Sequence, residues 1–142
     1  MRLLVDSSSF AKRYIQEAGS EQLDEFLQRA SELAVCVILV TELFSALNRR
    51  LREGVLSSKD YRKAKELLLN DVSDATVLQL TPAVISRSAY LLENSVLRAM
   101  DSLHVACALE WKADLFVTSD KRQFDSAVSS GLRTEYLGQP GA

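Results

Sequence analysis

Four acidic residues occupy places where a carboxylate is hard to explain as surface decoration. Asp6 directly follows the apolar run 3–5, and Asp120 follows the apolar run 115–118 after a single residue. Glu42 and Asp101 each sit in the first turn of a helical pattern with strongly apolar neighbours. Glu42 shares a helical row with Ala46 at i+4, which puts it at the margin of a buried stripe. Asp101 opens a segment that is apolar round most of its circumference over 103–109, the mark of a central helix. Taking a carboxylate out of water costs several kcal/mol, and carboxylates gathered together drive one another toward protonation. A divalent cation removes both costs, and hard oxygen ligands suit Mg²⁺ or Mn²⁺. Singly, each acid has an ordinary account: Asp6 as a turn residue, Asp101 and Asp120 as helix N-caps, Glu42 as a first-turn acid favoured by the helix dipole. Those accounts do not explain a shared strand-end location. The expectation is one cation site built from Asp6, Glu42, Asp101 and Asp120.

The elements that must position these acids can be read from periodicity. Strands are expected at 3–5, 33–37, 76–80, 115–118 and 134–137. A short helix is expected over 10–15. Gly19-Ser20 reads as a stop and a new N-cap, followed by an amphipathic helix with Leu23, Phe26, Leu27 and Ala30 on one face. Thr41 reads as the N-cap of a helix carrying Leu43, Ala46, Leu47 and Leu51. Ser57-Ser58-Lys59-Asp60 has the pattern of a capping box. It opens a charged helix over 59–69 that buries Tyr61, Ala64, Leu67 and Leu68. Pro82 fits the first turn of a helix reaching about 93. A further helix runs through 124–128. Strands alternating with helices indicate an α/β fold with a mainly parallel central sheet flanked by helices. Ligands of such sheets bind outside the carboxyl ends of the strands, where Asp6 and Asp120 fall.

The 142 residues suit one domain over 1–142, with a frayed tail at about 138–142. Apolar residues at 47% and charged residues at 25% exclude a disordered chain. The net charge of −2 lacks the basic excess common in nucleic-acid binders. Any contact with a polyanion must therefore use local basic groups or a cation. Cys36 and Cys107 lie in apolar runs without metal-ligand spacing and read as buried thiols, which suits a reducing cytoplasm. The first residues are too short for the apolar core of a signal peptide. The apolar stretch 33–47 is interrupted by Glu42 and cannot span a bilayer, so no membrane partner is expected.

The strings LLVDSSSF, VTELFSAL, MDSLHVACAL and FVTSD resemble, in order and spacing, the motifs of PIN-domain nucleases. They are most similar to those of the VapC toxins of toxin–antitoxin pairs. The resemblance runs from Asp6 to about Ala127. It implies metal-dependent cleavage of RNA by a compact α/β domain, with one or two Mg²⁺ or Mn²⁺ ions. By position, Asp6, Glu42, Asp101 and Asp120 are its four acids. Asp125 falls where some relatives carry a further acid, and otherwise reads as a solvated helix-face residue. Ser8, Thr118 and Ser119 would hold the carboxylates by hydrogen bonds, although Ser8 could instead cap the helix at Phe10. His104, the only histidine, reads as packed and structural rather than as a general base. Lys12, Arg13, Arg98, Lys121 and Arg122 are the basic groups nearest the acids and the candidates for RNA phosphates. The resemblance further implies a VapB-like antitoxin partner and a homodimer.

Two other classes fit parts of the pattern. A phosphotransfer-type α/β enzyme also places acids at strand ends, but the phosphatase pattern needs a second Asp where Ser8 stands. A catalytically silent PIN-fold module would use the same acids to hold a metal or a partner's arginine.

Overall fold

The computed structural model describes residues 1–138. The expected tail from 139 onward lies outside the described residues.

Five parallel strands form one sheet in the order β3-β2-β1-β4-β5. They are β1 (Arg2–Val5), β2 (Glu32–Cys36), β3 (Thr76–Leu78), β4 (Leu115–Thr118) and β5 (Thr134–Tyr136). The helices are α1 (Ser7–Phe10), with a 3₁₀ turn at Ala11–Arg13, α2 (Ser20–Arg29), α3 (Leu39–Arg52), α4 (Ser58–Ser73), α5 (Pro82–Asn94), α6 (Ala99–Trp111) and α7 (Lys121–Ser129). The chain steps outward from β1 through β2 to β3, then returns to the other side of β1 for β4 and β5. The order thus reverses at β1, which places a crevice at the carboxyl ends of β1 and β4. The register pairs Val5 with Val117, so Asp6 and Thr118 emerge together at that edge. Asp6 N–H donates to the Val117 carbonyl at 3.1 Å.

Period-two alternation sorts the strand side chains between two apolar layers. Leu3, Val5, Val35, Leu115 and Val117 face Phe10, Leu23, Leu39, Leu43, Leu47, Ala64 and Leu68 from α1 to α4. Leu4, Ala34, Cys36 and Phe116 face Val84, Leu91, Leu103, Val105, Ala106 and Ala127 from α5 to α7. A parallel sheet covered on both faces needs strands that are apolar on both sides, which β1 and β4 provide. Every residue of α6 from Ser102 to Ala108 is buried, as the apolar run predicts. Cys36 and Cys107 are free and buried. No helix among the described residues is long and apolar enough to cross a membrane.

Several local expectations are corrected. Thr41 does not cap α3. The helix starts at Leu39, behind Ile38 and without a side-chain cap, although Glu42 keeps its first-turn place. Ser20 does not cap α2. Gly19 holds that position at φ +96°, while Ser20 Oγ donates to the Lys12 carbonyl at 2.9 Å. A Cβ on Gly19 would stand 2.9 Å from the Leu137 carbonyl oxygen, so both the backbone angle and the space require glycine. The first helix is α1 plus the 3₁₀ turn rather than one segment over 10–15, because Asp6 starts it early by accepting from Ser9 N–H. The strands β3 and β5 are shorter than expected, ending at Leu78 and Tyr136. Helix α4 extends to Ser73, with Ser57 as its cap. It buries Ala64 and Leu68 but leaves Leu67 at 39% exposure. Its buried row is narrower than the composition suggests, with Leu67 turned partly to solvent.

That last observation gives a contrast between neighbours. Leu68 is fully buried, whereas Leu69 is 46% exposed. Leu68→Ala should cost about 2–5 kcal/mol in urea unfolding. Leu69→Ala should change stability by about 0.5 kcal/mol or less. Equal effects would mean that α4 does not dock as described.

Candidate functional site

Hydrogen bonds link Asp6, Asp120 and Asp101 at the carboxyl edge of β1 and β4, and Glu42 forms a second group with Ser7 and His104. Asp6 is fully buried. Its Oδ1 accepts from Ser9 N–H at 3.0 Å, and its Oδ2 accepts from Ser8 Oγ and Thr118 Oγ1, each at 2.7 Å. Burial pushes the Asp6 carboxyl above its ordinary value, against the pull of the His104 charge and the three donors. The two hydroxyls do double duty. Ser8 Oγ accepts from Ser119 N–H and Thr118 Oγ1 accepts from Asp120 N–H, both at 3.0 Å. Ser119 Oγ meets Ser9 Oγ at 2.7 Å. Ser8 and Thr118 therefore hold a carboxylate as the sequence expects, whereas Ser119 meets no carboxylate and bonds Ser8 and Ser9 instead. The cap of α1 is Asp6 rather than Ser8.

Asp120 is the N-cap of α7, its Oδ1 accepting from Arg122 N–H at 2.8 Å and Gln123 N–H at 3.1 Å. The Gln123 side chain then reaches back, and its Nε2 donates to Asp101 Oδ1 at 3.1 Å. Gln123 is 3% exposed and thus joins two acids from a buried position. Asp101 is not a cap: Arg98 precedes the helix, and Asp101 lies in its first turn. Arg98 Nε approaches Asp101 Oδ2 at 3.4 Å from a largely solvated position. Burial raises the Asp101 pKa and the Asp120 charge raises it further, opposed by Arg98 and Gln123. Two carboxylates close enough to repel, with one neutral amide between them, form the electrostatic centre of the site.

Glu42 reaches the same region from α3. Its Oε1 accepts from Ser7 Oγ at 2.8 Å and meets His104 Nε2 at 2.6 Å. Burial acts to raise the Glu42 pKa, but the His104 hydrogen bond and charge outweigh it and hold the carboxylate below its ordinary value. His104 shows the matching shift. Its burial is outweighed by the bond to Glu42 and the nearby charges, so the imidazole lies above its ordinary value. Sequence reasoning missed Ser7 and Gln123. The signal for Gln123 is visible in hindsight, as a glutamine on the same row of α7 as the buried Ser126 and Ala127. Ser7 carries no such signal, since nothing in a DSSS run separates three serines with three different partners.

The remaining candidates divide. Lys12 is 7% exposed and its Nζ is engaged by Glu17 at 3.2 Å and the Ala18 carbonyl at 2.8 Å. Arg13 forms a two-point pair with Asp71 at 2.6 and 3.0 Å. Both side chains are committed to internal structure and are corrected as free phosphate contacts. Arg98, Lys121 and Arg122 are exposed. Lys121 pairs with Asp125 at 3.2 Å, and Asp125 is 63% exposed on the face of α7, the helix-face alternative for that residue.

The donor set suits a divalent cation in its chemistry but is not preformed for one. The chemistry fits, because the donors are carboxylate oxygens and repulsion from Asp120 helps to raise the Asp101 pKa despite Arg98 and Gln123. The arrangement is not a ready-made cage, since no three His, Cys, Asp or Glu side chains among the described residues are gathered closely enough. Mg²⁺ does not demand one, as it is usually held by one or two carboxylates, with waters and substrate phosphates completing the shell.

A model of the family described as PIN domain matches residues 3–128. Comparison with curated protein sequences finds no match. Solved structures with the same fold include FitAcB from Neisseria gonorrhoeae, at 16% identity and TM-score 0.70, covering 93% of this chain and 95% of the other. Another is VapC20 from Mycobacterium tuberculosis, described as a sarcin-ricin loop cleaving toxin, at 14% identity and TM-score 0.67, covering 92% and 95%. A third is DNA-bound VapBC from Salmonella typhimurium, at 13% identity and TM-score 0.68, covering 96% and 98%.

The double role of Asp120 sets a test on the apo protein. Asn caps a helix as well as Asp but carries no charge. Asp120→Asn should leave apo stability unchanged or raise it, by relieving Asp101. Asp120→Ala should lose about 0.5–2 kcal/mol with the cap. Urea unfolding of both variants reads the difference, and a large loss in the Asn variant would show that the charge stabilises the apo fold.

Proposed function

This chain belongs to the PIN-domain family, and on that premise we propose that it is a metal-dependent endoribonuclease of the VapC type, the toxin of a toxin–antitoxin pair acting in the cytoplasm. The observation that carries the proposal is the run of hydrogen bonds from Asp6 through Thr118, Asp120 and Gln123 to Asp101 at the sheet's switch point, with Glu42 held by Ser7, the residue next to Asp6. A site serving only helix capping would need no Gln123 bridge between two repelling carboxylates. Asp101 and Asp120 are the primary holders of Mg²⁺ or Mn²⁺, with Glu42 and Asp6 completing the acidic set. A cation held by these carboxylates would supply positive charge for phosphodiester hydrolysis and for activating water. Thr118 and Ser8 keep Asp6 ionisable inside the fold, and Gln123 sets the spacing of Asp101 and Asp120. Arg98, Lys121 and Arg122 are the exposed cations placed to meet the RNA backbone.

A VapB-like antitoxin is the proposed partner, and a homodimer the proposed assembly. The similar fold of the VapBC complex from Salmonella typhimurium supports the partner.

Purified protein should cleave RNA with Mg²⁺ or Mn²⁺ and lose cleavage in EDTA. Asp101→Asn should lose it in either metal. Full activity in EDTA or in that variant would sink the proposal. Mn²⁺ should also stabilise the parent chain by about 2.7 kcal/mol at a hundredfold excess over Kd, read as a raised melting temperature. Asp101→Asn should reduce that rise. Mn²⁺ stabilisation without cleavage of any RNA would point to the catalytically silent module instead.

A further inference from the structure

Glu42 is held unlike the other three acids. Asp6, Asp101 and Asp120 accept from backbone N–H groups, hydroxyls, an amide and one solvated arginine. Glu42 alone is held by an imidazole. His104 Nε2 lies 2.6 Å from Glu42 Oε1, Ser7 Oγ donates to the same oxygen at 2.8 Å, and the two donor atoms lie 3.3 Å apart. An ionised carboxylate has no hydrogen to give, so Nε2 must carry the shared proton, which fixes that side of the ring as donor. Both contacts fall on Oε1, and Oε2 carries neither.

The surroundings make the ring a rigid support. His104 is 1% exposed on α6, between Leu103 and Val105 in a stretch buried on every side. Its other nitrogen, Nδ1, is buried without a hydrogen-bond partner among the described residues. A leucine would fill this space with no polar atom left unpaired, so packing alone favours the apolar residue. The histidine keeps the cost of an unpaired Nδ1, and the contact it makes in return is with Glu42. The Glu42 side chain, by contrast, is 31% exposed and would sample several rotamers if untethered.

We infer that His104, together with Ser7, is a positioning residue that pins Glu42 through Oε1 and thereby presents Oε2 as the oxygen offered to the divalent cation. The inference rests on the metal-dependent reading above. Neither residue touches substrate in this role; both act through Glu42. Support of this kind for a ligating group commonly changes metal affinity about 10–100-fold.

The test is calorimetric titration of Mn²⁺ into the full-length chain, with no RNA present. His104→Leu should bind Mn²⁺ at least about 10-fold more weakly. His104→Gln, whose amide can return a donor to Glu42, should recover most of that loss. Ser7→Ala should weaken binding severalfold. Each substitution is repeated in a Glu42→Gln background, where His104→Leu should shift affinity by less than about 2-fold, because the group it acts through is already gone. A merely structural histidine would carry its cost into both backgrounds. If circular dichroism shows His104→Leu unfolded, the Ser7→Ala pair of backgrounds carries the same comparison. Unchanged affinity in folded His104→Leu, or a loss that persists in the Glu42→Gln background, overturns the positioning role alone. No Mn²⁺ binding by the parent chain overturns the metal-dependent reading and this role with it.

Discussion

The Asp6 carboxylate is fully buried where β1 ends, and three donors from two separate segments keep it there. Hydrogen bonds to a charged acceptor contribute on the order of 1.5–3 kcal/mol each. Three of them offset part of the several kcal/mol that desolvating a carboxylate costs, and burial still leaves the Asp6 pKa raised. The same hydroxyls fix what lies around them. Ser8 holds the backbone at Ser119, and Thr118 holds it at Asp120. Solvating Asp6 therefore also sets the turn that aims Asp120 and starts α7. The parallel register that pairs Val5 with Val117 is what brings the two segments into reach. The rest of the site depends on this one buried charge being satisfied.

From Asp6 outward, the supporting groups are nearly all neutral. Serine, threonine and glutamine side chains link Asp6, Asp120 and Asp101, and the only cationic groups among the acids' side-chain partners are Arg98 at Asp101, from solvent, and the His104 imidazole at Glu42. A fold that needed only stability would gain from pairing these carboxylates internally. The basic residues that could have done so are engaged elsewhere, with Arg13 clamped on Asp71 and Lys12 folded beneath Gly19 onto Glu17 and a carbonyl. Part of the negative charge is thus left without an internal partner beyond Arg98 and His104, and on the proposed reading a cation from solvent neutralises it. A chain of net charge −2 then meets a polyanion through that cation and a few exposed basic groups, without needing a basic surface.

Much of the frame was legible before any coordinates. Alternation separated the two faces of β1 and β4, the apolar run marked α6 as central, and Ser57 and Pro82 marked helix starts. Errors clustered where a local cue competed with a tertiary one. Thr41 has the residue type of a cap, but α3 begins at Leu39, which packs fully into the core. Lys12 and Arg13 looked available because sequence position alone does not reveal an Asp71 brought in from α4.

The sequence by itself determined the element types, the strand-end placement of Asp6 and Asp120, and the family motifs that grouped the four acids. These are encoded in periodicity and in spacing over a few residues, which act before the chain closes. Tertiary structure decided which partner each side chain meets. Thr118 finds Asp6 across 112 residues, His104 finds Glu42 across 62, Ser7 finds Glu42 across 35, and Gln123 finds Asp101 across 22. Such partners follow from strand order and from how α6 and α7 pack on the sheet. A hydrogen bond depends on ångström-scale placement of two distant segments, and no local pattern in the chain specifies that distance.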